Sequence, residues 1–252
     1  MDLANKLSVI AENVPKVYEN GLRDGYDEAW DEAYDSGYYA GYETGKAEGG
    51  GGADFLLYAT SIGGMFFCAA FPEGYELSLK LPNCTSLDQT FREATGIKKI
   101  TLDLQTDTAF PAAYFVMMPA SKPDASSVEE IVLPDGIKFS NFVNFALRAK
   151  KLRTITGAID LSASTNNGSC FADCYALKNV RFVEGTITKT IDFAAPRDLS
   201  RDSVESMARG LDSNVTDQYL RFNSAVFDKL QPSGEWEDLG VIITERGWAF
   251  TN

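Results

Sequence analysis

Apolar positions change period three times along the chain. Leu3, Leu7, Ile10, Val14 and Val17 are spaced 4, 3, 4, 3, a heptad seam two heptads long. Pro15 lies inside it, so the helix restarts or kinks there. Leu22, Tyr26, Trp30, Tyr34, Tyr38 and Tyr42 then recur every fourth residue. A parallel row of small residues runs beside them at Gly21, Gly25, Ala29, Ala33, Gly37, Gly41 and Gly45. Four residues advance a helix by about 400°, so each row drifts by about 40° per step and favours right-handed wrapping. Glycine and alanine admit a close second backbone, and the rings cover the contact. Each interior glycine costs roughly 1 kcal/mol against alanine, so this stretch needs a partner to stay helical. The pattern predicts an α-helical oligomerisation or docking arm over residues 1–48, followed by a flexible linker at Gly49-Gly50-Gly51-Gly52.

Beyond the linker the period changes to that of a repeat. Phe171-x2-Cys174-x2-Leu177-x2-Val180-x-Phe182 passes from a helical or irregular segment into a short strand. Phe91-x2-Ala94-x2-Ile97-x2-Ile100-x-Leu102 has the same spacing. Ala146-x2-Ala149-x2-Leu152-x2-Ile155-x-Gly157 is a degraded copy, and Val128-x2-Ile131-x-Leu133 keeps only the strand half. The anchors Ile97, Val128, Leu152 and Leu177 recur with one long step and then two nearly equal ones. These steps fall in or near the period of leucine-rich repeats, about 20–29 residues. Leu77-x-Leu79-x-Leu81 reads as the strand of a preceding turn. Strands this short are stable only when stacked around a shared apolar column. Lys98-Lys99, Lys150-Lys151 and Lys178-Asn179 occupy the intervening positions and are expected to face water. Phe55 to Phe71 is apolar and uncharged, and Gly63-Gly64 predicts two buried strands joined by a turn rather than a membrane span.

The last part reads as a cap. Ser200 before Val204, Met207 and Leu211 predicts an N-capped amphipathic helix ending near Asp212-Ser213-Asn214. Tyr219 to Phe222 is a strand, Phe227 and Leu230 suggest one more apolar turn, and Trp236 to Arg246 has no clear phase. Gly247-Trp248-Ala249-Phe250 closes the chain, with Trp236 and Trp248 suited to hiding the last apolar face. The predicted fold is an α+β repeat solenoid with short strands stacked in a parallel sheet, preceded by the helical arm. Its divisions are 1–48 (arm), 49–52 (linker), 53–195 (solenoid) and 196–252 (cap).

Charge narrows the functions. The chain of 252 residues carries a net charge of −13. Residues 1–48 hold 11 acidic and 4 basic side chains, so more than half of that charge sits in the arm. This opposes binding to nucleic acid or to an anionic membrane. The sequence contains no histidine, which removes the commonest general base and histidine zinc sites. Carboxylate pairs remain, but none is diagnostic. Of the four cysteines, Cys170 and Cys174 are four residues apart with no second pair at ligand spacing, so Cys174 is expected to be a reduced core thiol. Gly41-Tyr42-Glu43-Thr44-Gly45-Lys46-Ala47 is one residue short of a phosphate loop and lacks its Ser/Thr. No catalytic, metal or cofactor residue is assigned. The first residues show no basic start followed by an apolar run, so no signal peptide is expected.

The stretch Phe171-Ala172-Asp173-Cys174-Tyr175-Ala176-Leu177-Lys178-Asn179-Val180 is similar to the F-x-x-C-x-x-L-x-x-I signature of BspA-type leucine-rich repeats. Leu81-Pro82-Asn83-Cys84-Thr85-Ser86-Leu87 with Phe91 also resembles that family, as does the arm from Lys6 to Gly21. Such repeats occur in bacterial surface proteins and in short, signal-less proteins of bacteriophages and prophages of gut bacteria. The resemblance implies a non-enzymatic virion structural protein of tail, baseplate or fibre type. It would associate through its arm with itself, a trimer being one option, or with a virion protein. Its repeats would present a face to a host-surface protein or glycan. A bacterial cell-surface or secreted adhesin is the alternative.

Overall fold

Each strand is too short to fold alone and pairs with strands of neighbouring coils, always in parallel. The computed structural model describes residues 60–122 and 124–252, all within one compact unit, Leu56–Asn252. The assembly residues Leu3, Leu7, Ile10, Val14, Val17, Leu22, Gly25, Tyr26, Trp30, Tyr34, Gly37, Tyr38, Gly41, Tyr42 and Gly45, and the glycine linker, lie outside the described residues.

The main sheet contains β1 (Ala70–Leu81), β2 (Thr95–Leu104), β3 (Ala109–Pro111), β4 (Glu130–Val132), β5 (Ile137–Asn141), β6 (Thr154–Asp160) and β7 (Asn179–Phe182). Their order is β1-β2-β4-β6-β5-β3, with β7 also paired to β6. The first half of β6 pairs with β4 and its second half with β5, so the sheet curls at β6. Lys99, Glu130, Thr154 and Asn179 stand in register, each two positions beyond an anchor of the repeat. A second sheet, order β10-β9-β8, is built from β8 (Ile191–Phe193), β9 (Tyr219–Phe222) and β10 (Ala249–Thr251). The helices are α1 (Arg201–Gly210), α2 (Ser224–Leu230) and α3 (Glu237–Glu245). The described part is therefore a curled, parallel-stranded, solenoid-like α+β fold with few helices.

The turn segments leading to β1, β2, β4 and β6 are neither helical nor irregular. In Leu87 to Ala94, the N–H groups of Leu87, Gln89, Phe91 and Glu93 donate to Pro111, Ala113, Phe115 and Met117 of the next coil. The N–H groups between them, at Thr90, Arg92 and Ala94, turn back three residues to Leu87, Gln89 and Phe91. Neighbouring coils repeat this scheme around Ile62, Ala112 and Phe142. Alternation of this kind requires left-handed backbone at fixed places: Gly64, Gln89, Tyr114, Asn144 and Ser169 all have positive φ. The same is true of Cys68, Glu93, Arg148 and Asp173. Stacking bonds from their own N–H groups hold Cys68, Gln89, Glu93, Tyr114, Asn144 and Arg148 in a conformation that L-residues otherwise avoid.

This scheme corrects two expectations. The described residues between Phe55 and Phe71 do not form two strands around Gly63-Gly64. Residues 63–68 are turns, and the strand begins only at Ala70. Val128 to Leu133 also does not stand alone as a strand half, because Ala112 to Met118 supplies its missing turn segment. Extra residues between Met118 and Val128 had hidden the match, and they account for the long step from Ile97 to Val128.

Phenylalanines join the coils. Phe66, Phe91, Phe115, Phe145, Phe171, Phe193 and Phe222 form a spine with neighbouring ring centroids 5.1, 5.2, 5.1, 6.5, 5.2 and 6.2 Å apart. By the stacking register, Val116 and Ala146 occupy the slot of Phe91 and Phe171. In those two coils the ring moves one residue earlier, to Phe115 and Phe145. The spine crosses from the turn segments into β8 and β9, and one apolar core runs from Ile62 to Trp248.

The C-terminal end is closed by side chains. Ser200 caps α1 by accepting from the Ser203 N–H, and the helix ends at Gly210, just short of the expected end. Ser203 and Ser206 on this helix accept from the N–H groups of Val180 and Phe182 at 3.0 and 2.8 Å. Their hydroxyls donate in turn to the carbonyls of Lys178 and Phe182. The free edge of β7 is thus satisfied by a helix, which removes a template for unwanted strand pairing. The unphased stretch after Trp236 is α3, with Leu239 and Ile243 buried. Trp248 donates through Nε1 to the Asp212 carbonyl at 2.9 Å.

Candidate binding surface

The residues assigned to the repeat column are all inside. Phe91, Ala94, Ile97, Ile100, Leu102, Leu152, Ile155, Phe171, Cys174, Leu177, Val180 and Phe182 are buried. Cys174 occupies the register of Ala94 and Ala149, and its thiol donates to the Ala146 carbonyl at 2.8 Å. Burial holds the Cys174 and Cys170 thiols well above their ordinary pKa. Both are free, as are Cys84 and Cys68. Among the described residues no group of three His, Cys, Asp or Glu side chains is placed to hold a metal ion, and no helix is long and apolar enough to cross a membrane. Trp236 and Trp248 are buried in the core.

Cys68 is the exposed thiol. Loss of hydration around its sulfur, then the Glu93 carboxylate, pushes its pKa up to about 11. Iodoacetamide should therefore label Cys68 alone in the native protein, slowly at pH 8. The rate should climb with pH through about 11, because the thiolate is the nucleophile. Mass spectrometry of labelled peptides reads this directly. Fast labelling of Cys170 or Cys174 without denaturant would contradict the placement.

Surface chemistry concentrates at the corner where turn segments become strands. Backbone bonds run from Glu129 to Lys98, Arg153 to Glu129 and Lys178 to Arg153, at 2.8, 2.8 and 2.9 Å. The next position along gives a second row, Glu76, Lys99, Glu130, Thr154 and Asn179. Lys99 Nζ lies 3.0 Å from Glu130 Oε2. A shallow hollow of about 400 Å³ opens over these two rows.

Toward the C-terminal coils the corner becomes basic. Lys150 meets Asp124 at 2.7 Å, and Arg148 meets Asp173 at 3.7 Å. The Tyr175 hydroxyl donates to Asp173 at 2.7 Å, a bond that with the Asp173 charge raises the phenol's pKa. Lys151, Arg153, Lys178 and Arg197 are exposed and make no ion pair or side-chain hydrogen bond among the described residues. Sequence spacing pointed to the lysines as water-facing positions but not to Tyr175, Arg153 or Arg197. Tyr175 was hidden because it lies inside the packing motif, and only the stacking register brings it beside Lys150.

A second hollow, about 330 Å³, lies over α1 beside Glu184, Asp202 and Glu205. Glu205 is bound by Arg201 and Arg209, and Glu184 by Arg246. Glu205 and Glu184 are thus committed to ion pairs on the surface, whereas Asp202 is not. No family model, no curated protein and no solved structure matches the chain.

Proposed function

We propose that this is a non-enzymatic, virion-associated structural protein of a bacteriophage or prophage, of tail, baseplate or fibre type, built on BspA-type leucine-rich repeats. Residues 1–48 join copies of the chain or dock it on a virion protein, and the repeat body presents a face to a host-surface protein or glycan. The observation that carries this reading is the packing of the F-x-x-C-x-x-L-x-x-V column, whose Phe171, Cys174, Leu177 and Val180 are all fully buried. The column supports the repeat family, and the Gly/Tyr spacing of the arm supports assembly. Polar groups with chemical potential are used structurally: the Cys174 thiol, the edge-capping Ser203 and Ser206, and the buried Thr90 hydroxyl, which donates to Leu87.

Particles purified from an induced host by density gradient and analysed by quantitative mass spectrometry test the proposal. The protein should co-purify at a fixed copy number per particle. Recovery in the cell-envelope fraction, with none in particles, would favour the adhesin reading instead.

A further inference from the structure

We infer that the basic corner around Tyr175 is a binding site for an acidic saccharide, meaning a short run of carboxylated sugar units. The inference rests on the reading above only in taking the repeat body as the presenting face.

Tyr175 is 47% exposed, although it sits in the best-formed repeat. Its hydroxyl is tied to Asp173, which in turn meets Arg148, so the ring edge is fixed. No other aromatic ring lies against it among the described residues. A pinned ring with an open face suits the C–H face of a sugar, because the ring's position is set before binding.

Two cations lie near the ring, beside the Asp173 carboxylate that holds its hydroxyl. Lys150 and Arg197 are close enough to Tyr175 to act on its hydroxyl electrostatically. In the stacking register Lys150 stands one coil below Tyr175, and Lys151 one coil below Ala176. Arg153 and Lys178 are bonded through their backbones at 2.9 Å, so they stand side by side. The carboxylates Asp124 and Asp173 already hold Lys150 and Arg148. Lys151, Arg153, Lys178 and Arg197 are left free to take charge from a ligand.

A cationic patch is out of keeping with a chain of net charge −13. That global charge repels a long nucleic acid, while a short acidic ligand meets only the local field. Coils stack about 4.8 Å apart, close to the length of one sugar unit, so carboxylates on two successive units of a linear chain meet Arg153 and Lys178 on two successive coils, with Glu129 marking the acidic end of that row. An acidic peptide would satisfy the cations without needing the ring, and inorganic phosphate would need neither the ring nor the repeat.

Calorimetric titration of the full chain at low salt tests this. The probes are tetramers of galacturonate, of hyaluronan and of α2,8-linked sialic acid, with maltotetraose, a short polyglutamate and inorganic phosphate for comparison. At least one acidic tetrasaccharide should bind, with the three comparison probes at least about tenfold weaker. Tyr175→Ala and the pair Arg153→Gln/Lys178→Gln should each weaken it about tenfold, while Tyr175→Phe, which keeps the ring but loses its tie to Asp173, should fall between parent and Tyr175→Ala. Added salt should weaken binding further. The inference is overturned if no acidic tetrasaccharide binds, if Tyr175→Ala binds as the parent does, or if polyglutamate binds equally well. Recovery of the protein in particles, together with failure here, would leave the assembly reading standing and remove this one.

Discussion

Replacing Phe171 by alanine is expected to destabilise the repeat body by about 3–5 kcal/mol. Phe171 is fully buried and is an interior member of the ring spine. It meets Phe142 at 5.7 Å, Phe145 at 6.5 Å and Phe193 at 5.2 Å. Part of the loss is transfer free energy and part is the cavity left among rings held by their own backbone ladders, which are poorly able to collapse. Ring–ring geometry adds about 0.5–1.5 kcal/mol per pair. In a repeat stack the loss propagates, because each coil is stable only through its neighbours. Urea unfolding followed by tryptophan fluorescence reads it, since Trp236 and Trp248 are buried in the same core. Tyr75→Ala, at a side chain 37% exposed, is the control and should cost much less. A Phe171→Ala loss below about 1 kcal/mol would contradict the spine as a structural element.

A larger effect is expected at Gly157. Its φ is +94°, and a Cβ there would stand 2.2 Å from the Leu133 carbonyl oxygen. The clash is with backbone, so no side chain can rotate away. Between Thr154 and Ala158 the pairing of β6 with β7 shifts, as β6 bulges where the sheet curls. Gly157→Ala must push apart β4 and β6 or flatten the bulge, and either route should cost more than about 3 kcal/mol or prevent folding. Gly136 is the internal control: its φ is +77°, yet nothing lies within 4 Å of an added Cβ. Gly136→Ala should cost only the strain of left-handed backbone, about 1–2 kcal/mol. Equal effects at the two sites, by thermal melting or by soluble yield, would show that the close approach at Gly157 is not what matters.

Gly157 also shows why part of the fold was hard to read. In the Ala146 to Gly157 stretch it replaces the Leu102 or Phe182 of better copies and looked like decay, whereas it is the bend of the sheet. The Phe91 and Phe171 coils were legible because ring, small residue and two aliphatics kept their three-residue spacing. Phe115 and Phe145 were missed because each ring stands one residue early and still reaches the same spine. Apart from Gly64, the turn segments left no glycine signature. Gln89, Glu93 and Arg148 adopt positive φ under the pull of stacking bonds, which no local propensity reports. The strand reading of the described residues before Ala70 failed for that reason: their apolar run suited a strand, but alternate N–H groups are spent on the next coil. At the C-terminus the Ser200 cap was visible, while the use of Ser203 and Ser206 to close a sheet edge depends on contacts between segments distant in sequence. The basic corner was half visible. Its lysines follow the repeat, but Tyr175 gains its setting only when Lys150 is stacked beneath it.

Capping the β7 edge with α1 and aligning water-facing residues into rows gives the body an ordered surface. Such a surface gains from display in several copies, because linked weak sites bind far more tightly than one. Under the proposed function, this would tie the Gly/Tyr spacing of residues 1–48 to the basic corner of the body.

The most direct test of this account is the mass in solution, by light scattering over a tenfold range of concentration, of the full chain and of a chain beginning at Ala53. The account predicts a stable multimer for the full chain and a folded monomer for the shortened one. A full chain that is monomeric throughout, and whose arm shows no helix even when mixed with purified virion proteins, would contradict it.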